Sequence, residues 1–219
     1  MNGDYNAILR LCAITNSFVF DYSLRMRLGG GVMYLCLHLI EEQPRPIKYN
    51  SNIMQIALQL SHPSIIFSDW WINHQLINKS LKKSIWCSLW AITSHERLRL
   101  RCLLDAIIAE LYGLSYDDFA WILRECGYPK ENIRELSKTF DPKGFWRVDK
   151  DKDPELRHTV LALKAFADLK EIGLDAFCAL NHGEGWMIPE TLTYKVNPNG
   201  KIVFDSADGK TVPVRERLG

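Results

Sequence analysis

Apolar positions recur at helical spacing most clearly over residues 95–112. Leu100, Leu103, Leu104, Ile107, Ile108 and Leu111 mark one stripe there, and Arg101 and Asp105 stand four apart as an expected ion pair. Gly113 follows where a left-handed residue ends a helix. Ser115, with Asp118 three residues on, is a capping-box variant opening a second helix that turns Phe119, Ile122 and Leu123 inward and ends near Gly127. The short Gly113-Leu114 link makes the two a helical hairpin.

A third helix is predicted from Asp153-Pro154, an N-cap with proline in the first turn, to Ile172, with Gly173 as its stop. Residues 5–27 carry a less regular apolar stripe (Ile8, Leu11, Cys12, Phe18, Tyr22, Met26) and read as one N-terminal helix ended by Gly29, Gly30 and Gly31. Val32 to Ile40 reads as a strand, although Leu35 to Ile40 also fits a helix. Pro44 and Pro46 then interrupt regular structure. The polar stretch 141–153 reads as loop. Near the C-terminus, Leu192–Val196 and Lys201–Asp205 flank the turn Asn197-Pro198-Asn199-Gly200 as a β-hairpin, with a further short strand at Thr211–Val214. The expected class is therefore α+β, mainly helical, with a helical hairpin core, a short strand after the N-terminal helix and a small C-terminal β-hairpin. Three parts are expected: residues 1–46, a helical region over 47–190 and a hairpin tail over 191–219.

Composition adds little against this picture. Of 219 residues, 47% are hydrophobic and 24% charged, ordinary globular values that argue against disorder. No apolar run reaches the ~18 residues of a membrane span, and the start lacks the basic flank of a signal peptide, so a cytoplasmic protein with no membrane partner is expected. The six cysteines form no Cys-x-x-Cys pair and read as small buried hydrophobes.

Charge is more informative in its distribution than in its sum of +1. Lys79, Lys82, Lys83, Arg97, Arg99 and Arg101 face the single acid Glu96 across residues 79–101, whereas residues 102–140 are acidic on balance. Such a band is either a footprint for phosphate or a solvated helix face. Trp70, Trp71, Trp86 and Trp90 surround its lysines. Aromatics among basic residues can stack bases, but the i,i+4 spacing of Trp86 and Trp90 favours a helical core.

Complete catalytic signatures are missing. Gly29-Gly30-Gly31 follows a helix rather than a strand, and the sequence has no phosphate loop and no nucleophile elbow. His182-Gly183-Glu184 matches half of a zinc-deaminase signature without its Pro-Cys-x-x-Cys half, which leaves His182 as a turn residue. Asp117 and Asp118 suit a helix N-terminus, and Asp149, Asp151 and Asp153 a solvated loop, better than metal ligation.

Two passages carry a family likeness. Leu11–Val32, with Asn16-Ser17, Asp21-Tyr22, Arg25 and the triple glycine, continues to Leu37–Pro46 through Gln43. It resembles the Asn-Ser to Gln-x-Pro passage of large adenine-specific DNA methyltransferases, which include single-chain restriction–modification enzymes and methylases of BREX and DISARM phage-defence systems. Glu96–Ser115, with Arg101, Leu104-Asp105-Ala106 and Leu111-Tyr112-Gly113-Leu114, continued by Phe119–Leu123, resembles the helix pair near the C-termini of the same proteins. With Gly144-Phe-Trp-Arg147 and Arg157-His-Thr159, the resemblance spans about residues 8–190.

In that family the catalytic core, with its S-adenosylmethionine loop and Asn-Pro-Pro-[Phe/Tyr] motif, precedes these passages. Neither motif occurs here, since the lone Asn197-Pro198 is followed by Asn199. The resemblance therefore implies a target-recognition and C-terminal helical region. It would bind double-stranded DNA for a methyltransferase core or other defence-system subunits, holding no cofactor itself while that core uses S-adenosylmethionine. On this reading Arg25, Arg27 and the backbone donors of Gly29, Gly30 and Gly31 contact phosphate, and Lys79, Lys82 and Lys83 extend the surface. Arg97, Arg99 and Arg101 are weaker candidates, on a helix that also packs. The alternative is a helical interaction or scaffold protein that packs on a partner without touching DNA.

Overall fold

In the computed structural model the described residues are 5–28, 37–46, 48, 50–77, 89–124, 145–196, 202–204 and 210–213. Their helices are α1 (Tyr5–Thr15), α2 (Phe18–Leu28), α3 (Leu37–Glu41), α4 (Asn52–Ser61), α5 (Ser68–Ile77), α6 (Ser94–Leu111), α7 (Tyr116–Ile122), α8 (His158–Ile172) and α9 (Leu174–Gly183). The strands are β1 (Thr191–Val196), β2 (Ile202–Phe204) and β3 (Lys210–Pro213). The protein is mainly helical with a small antiparallel sheet near the C-terminus, as its pattern predicts.

Helix α6 is the axis of the core. From Leu98 to Leu111 it is buried on almost every side, beyond the single stripe of an amphipathic surface helix. It packs along α8, and buried alanines on both (Ala106, Ala109, Ala162, Ala165) permit close approach. Phe166 of α8 meets Phe119 of α7 edge-on, with ring centroids 5.0 Å apart. Alongside, α1 packs on α4 through an apolar layer that includes Leu9, Ala13, Ile53, Ile56 and Ala57. Trp71 of α5 is fully buried and donates its indole N–H to the His62 carbonyl at 2.9 Å. It is a core residue, not a stacking platform.

The hairpin of α6 and α7 forms with the Gly113 stop and the Ser115–Asp118 cap that the sequence predicts, and with a further cap at Thr93. The Thr93 hydroxyl accepts the Glu96 N–H at 3.1 Å and opens α6. Gly113, at φ 73°, allows the Leu114 N–H to reach back to the Ala109 carbonyl at 3.1 Å. At the start of α7 the Ser115 hydroxyl accepts the Asp118 N–H, and the Asp118 carboxylate accepts the Ser115 N–H. The Ser115 hydroxyl and then its backbone N–H hold the Asp118 carboxyl below its ordinary range. The cap's contribution is therefore present above the unfolded carboxylate pKa and fades as pH falls through the lower folded value. Replacing the α6 cap, Thr93→Ala, is expected to destabilise the protein by about 1 kcal/mol. An unchanged urea midpoint would remove that cap from the account.

Four expectations are corrected. The N-terminal helix is two helices, because Asn16 and Ser17 take over the backbone at the break. The Asn16 amide donates to the Cys12 carbonyl at 2.7 Å, and the Ser17 hydroxyl donates to the Ile14 carbonyl and accepts the Phe20 N–H. The strand expected over Val32–Ile40 is absent from its described part. Residues 37–41 are helical, their end closed by Glu42 N–H to the His38 carbonyl and by the Gln43 amide to the Leu39 carbonyl, and residues 32–36 lie outside the described residues. The third helix begins later than its proline suggests. Pro154–Leu156 is a 3₁₀ turn, Arg157 is extended, and α8 starts at His158, whose N–H is taken by Asp149 at 2.8 Å rather than by Asp153. Finally, His182 is not in a simple turn. It ends α9, a helix that the spacing did not reveal, in a left-handed run with Asn181.

The expected hairpin pairs Tyr194 with Phe204, and β3 joins the other edge of β1 in the register Leu192 to Val212. The sheet order is thus β2-β1-β3. Leu192, Tyr194 and Ile202 point into the core, and the Tyr116 hydroxyl donates to the Ile202 carbonyl at 2.9 Å, tying the sheet to α7.

Candidate nucleic-acid interface

A buried carboxylate organises the region that carries α2. Asp105, only 2% exposed, sits midway along α6 and accepts the Phe18 N–H at the start of α2 at 2.8 Å. Its other oxygen lies 2.9 Å from Nε2 of His158, the first residue of α8. The N-terminus of α2 thus rests on this carboxylate, in the favourable sense for its dipole, while the α8 N-terminus is capped by Asp149 and meets Asp105 only through the His158 side chain. Asp105 makes no surface pair with Arg101, because Asp105 faces in and Arg101 is exposed.

From that carboxylate a stack of rings leads outward. His158 lies 4.5 Å from Phe18, and Phe18 lies 4.8 Å from Phe145, in the turn Phe145–Arg147. The Arg25 guanidinium sits over Phe145, 4.9 Å from its centroid. Arg25 also grips Asp21, one turn earlier, through Nε and Nη2, both at 2.7 Å. Arg27 reaches instead across to Glu42, beyond α3, at 3.4 Å. Both arginines stand in the last turn of α2, where cations suit its dipole. The structure thus brings Arg25 and Arg27 to one partly exposed helix end, each beside a carboxylate. Gly29, Gly30, Gly31, Lys79, Lys82 and Lys83 lie outside the described residues.

The arginines of the basic band separate. Arg99 is buried; it pairs with Glu96 through two bonds of 2.8 and 2.6 Å and donates to the carbonyls of Glu184 at 2.8 Å and Trp186 at 3.0 Å. It latches the segment after α9 onto α6. Arg97 donates to the carbonyls of Leu60 and Ala91. Arg101 stays exposed. A run that reads as one charge band is thus two structural ties and one surface cation. Trp90 lies in irregular chain and packs half-buried against the core, and Trp86 lies outside the described residues.

Sequence reasoning names Asp105, Arg157, His158 and Asp149 but misses their buried roles; Asp149, read as part of a solvated loop, is buried and caps α8. Arg157 is fully buried, its guanidinium donating to the carbonyls of Lys150 and Lys152, so residues 149–157 wrap around it. One signal was available: an acid within the apolar run Leu103-Leu104-Asp105-Ala106-Ile107. Of the described thiols Cys102 is buried, as expected, whereas Cys12 and Cys178 are only half-buried; burial raises the pKa of all three.

No family model, curated protein or solved structure matches the chain. No helix among the described residues is long and apolar enough to cross a membrane.

Proposed function

We propose that this chain is the DNA-recognition and C-terminal part of an adenine-specific (N6) DNA methyltransferase of a restriction–modification or phage-defence system. It binds duplex DNA in the cytoplasm for an S-adenosylmethionine-dependent core that these residues do not contain. One observation carries the reading. The passages that resemble this family, distant along the chain, meet at a single point. Phe18 and Arg25 from the first, Asp105 from the second, Phe145 from Gly-Phe-Trp-Arg and His158 from Arg-His-Thr form one continuous set of contacts. A base-flipping enzyme also needs a separate surface for the flanking duplex, mostly through phosphates, and two arginines stand at the outer end of that set.

Binding to a labelled random duplex across a salt series tests the proposal. Affinity is expected to fall steeply with salt, and Arg25→Glu with Arg27→Glu together to weaken binding and flatten its salt dependence. A correctly folded double variant that binds as well as wild type would remove α2 from the interface.

A second reading, a scaffold that never contacts DNA, is favoured by exposed apolar side chains away from α2. Ile65 and Ile66 are 71% and 81% exposed in the turn before α5. It predicts no duplex binding even at low salt.

A further inference from the structure

Arg25 and Arg27 are two residues apart on α2 and are held in opposite ways. Arg25 makes a two-point contact with Asp21 on its own helix and lies on the Phe145 ring, so moving it sacrifices at least three interactions. Among the described residues Arg27 makes one ion pair, of 3.4 Å with Glu42, and the two side chains are 44% and 59% exposed. Exposed pairs of that kind are weak and readily exchanged.

The backbone beneath Glu42 is well fixed. Its neighbour Gln43 is buried, accepts the Ser23 hydroxyl of α2 at 2.7 Å and donates to the Leu39 carbonyl at 2.8 Å. The Tyr112 hydroxyl, at the end of α6, holds the Pro44 carbonyl at 2.9 Å. Residues 39–44 therefore form a strap pinned to α2 and α6, from which one carboxylate reaches the outermost arginine. A guanidinium recognises carboxylate and phosphate oxygens with the same donors.

We propose that Glu42 is an internal stand-in for a DNA phosphate. It occupies Arg27 in the free protein and yields it to the duplex, so Arg27 is the arginine of α2 that exchanges partners while Arg25 stays in place. This rests on the DNA-binding reading above. The gate lowers affinity for any duplex, because each encounter must break the internal pair and then leave Glu42 close to the backbone. It favours only sites whose other contacts are good enough to displace it.

The experiment compares duplex binding by wild type, Glu42→Gln, Glu41→Gln, Arg27→Gln and the Arg27→Gln/Glu42→Gln pair at about 50 mM and 200 mM salt. Glu41→Gln removes the same formal charge one residue away and reports the general electrostatic gain. Glu42→Gln is expected to tighten binding about two- to fivefold beyond Glu41→Gln, with the excess vanishing in the Arg27→Gln background. Equal gains from the two glutamate variants, or an excess that survives without Arg27, would overturn the gate and leave the DNA reading standing. If none of the five proteins binds duplex in a salt-sensitive way, the DNA reading fails and takes the gate with it.

Discussion

Asp105→Ala is expected to cost about 3 kcal/mol of stability, the upper range for stripping a buried hydrogen-bonding group of its partner. The variant strands the Phe18 N–H at the start of α2 and leaves the His158 ring without the carboxylate 2.9 Å away. It also removes the carboxylate that complements the α2 dipole. Asp105→Asn should cost less, because its carbonyl oxygen still accepts from Phe18 while its amide can donate to a neutral imidazole. Urea unfolding gives the magnitude, and amide exchange gives the location. Protection should be lost first over residues 18–21 and 158–161, with the α4 amides changing less. An alanine variant within 1 kcal/mol of wild type, with both helix starts still protected, would show that Asp105 does not join them.

This carboxylate also shows where sequence reading stops. The hairpin of α6 and α7 is legible because its information is local: leucines and isoleucines at helical spacing, Gly113 for the left-handed turn, and Ser115 with Asp118 for the cap. Each of those features is satisfied within a few residues. Asp105 is not, since its two contacts come from residues 87 positions earlier and 53 positions later, and spacing alone pairs it with Arg101. The break at Asn16-Ser17 was hidden for a related reason. Neither residue is a strong breaker, and the break is stabilised partly by Asp105 accepting Phe18. The α3 segment misled differently: its apolar content fits a strand or a helix, and the hydrogen bonds of Gln43 and Glu42 settle it. For the interface, charge could be read but engagement could not. The sequence ranks Arg97 and Arg99 below Arg25 and Arg27 because their helix also packs, but it does not show that the fold buries Arg99, ties Arg97 to carbonyls, clamps Arg25 and leaves Arg27 weakly held.

Arg157→Met is the second large effect, expected to destabilise by about 3 kcal/mol or more despite preserving much of the apolar volume. The guanidinium is wholly buried, and Nε and Nη2 both serve carbonyls of the 149–157 segment, with distances of 2.9–3.2 Å to Lys150 and Lys152. A thioether supplies no donor, so those carbonyls must either stay unpaired or move outward to water. Movement is the cheaper course, and it draws Asp149 away from the His158 N–H it caps. The start of α8 and the Phe145 turn should therefore loosen together, and with them the ring beneath Arg25. Arg157→Lys is expected to recover only part of the loss, because one ammonium cannot reproduce a planar fork with donors fixed in two directions. Exchange over residues 145–161, compared between the two variants, separates this account from a simple packing defect. A packing defect would leave methionine equal to or better than lysine and α8 capped. Loss of segment order with methionine, partly restored by lysine, would place the wrapped guanidinium at the centre of the fold beneath the candidate DNA surface.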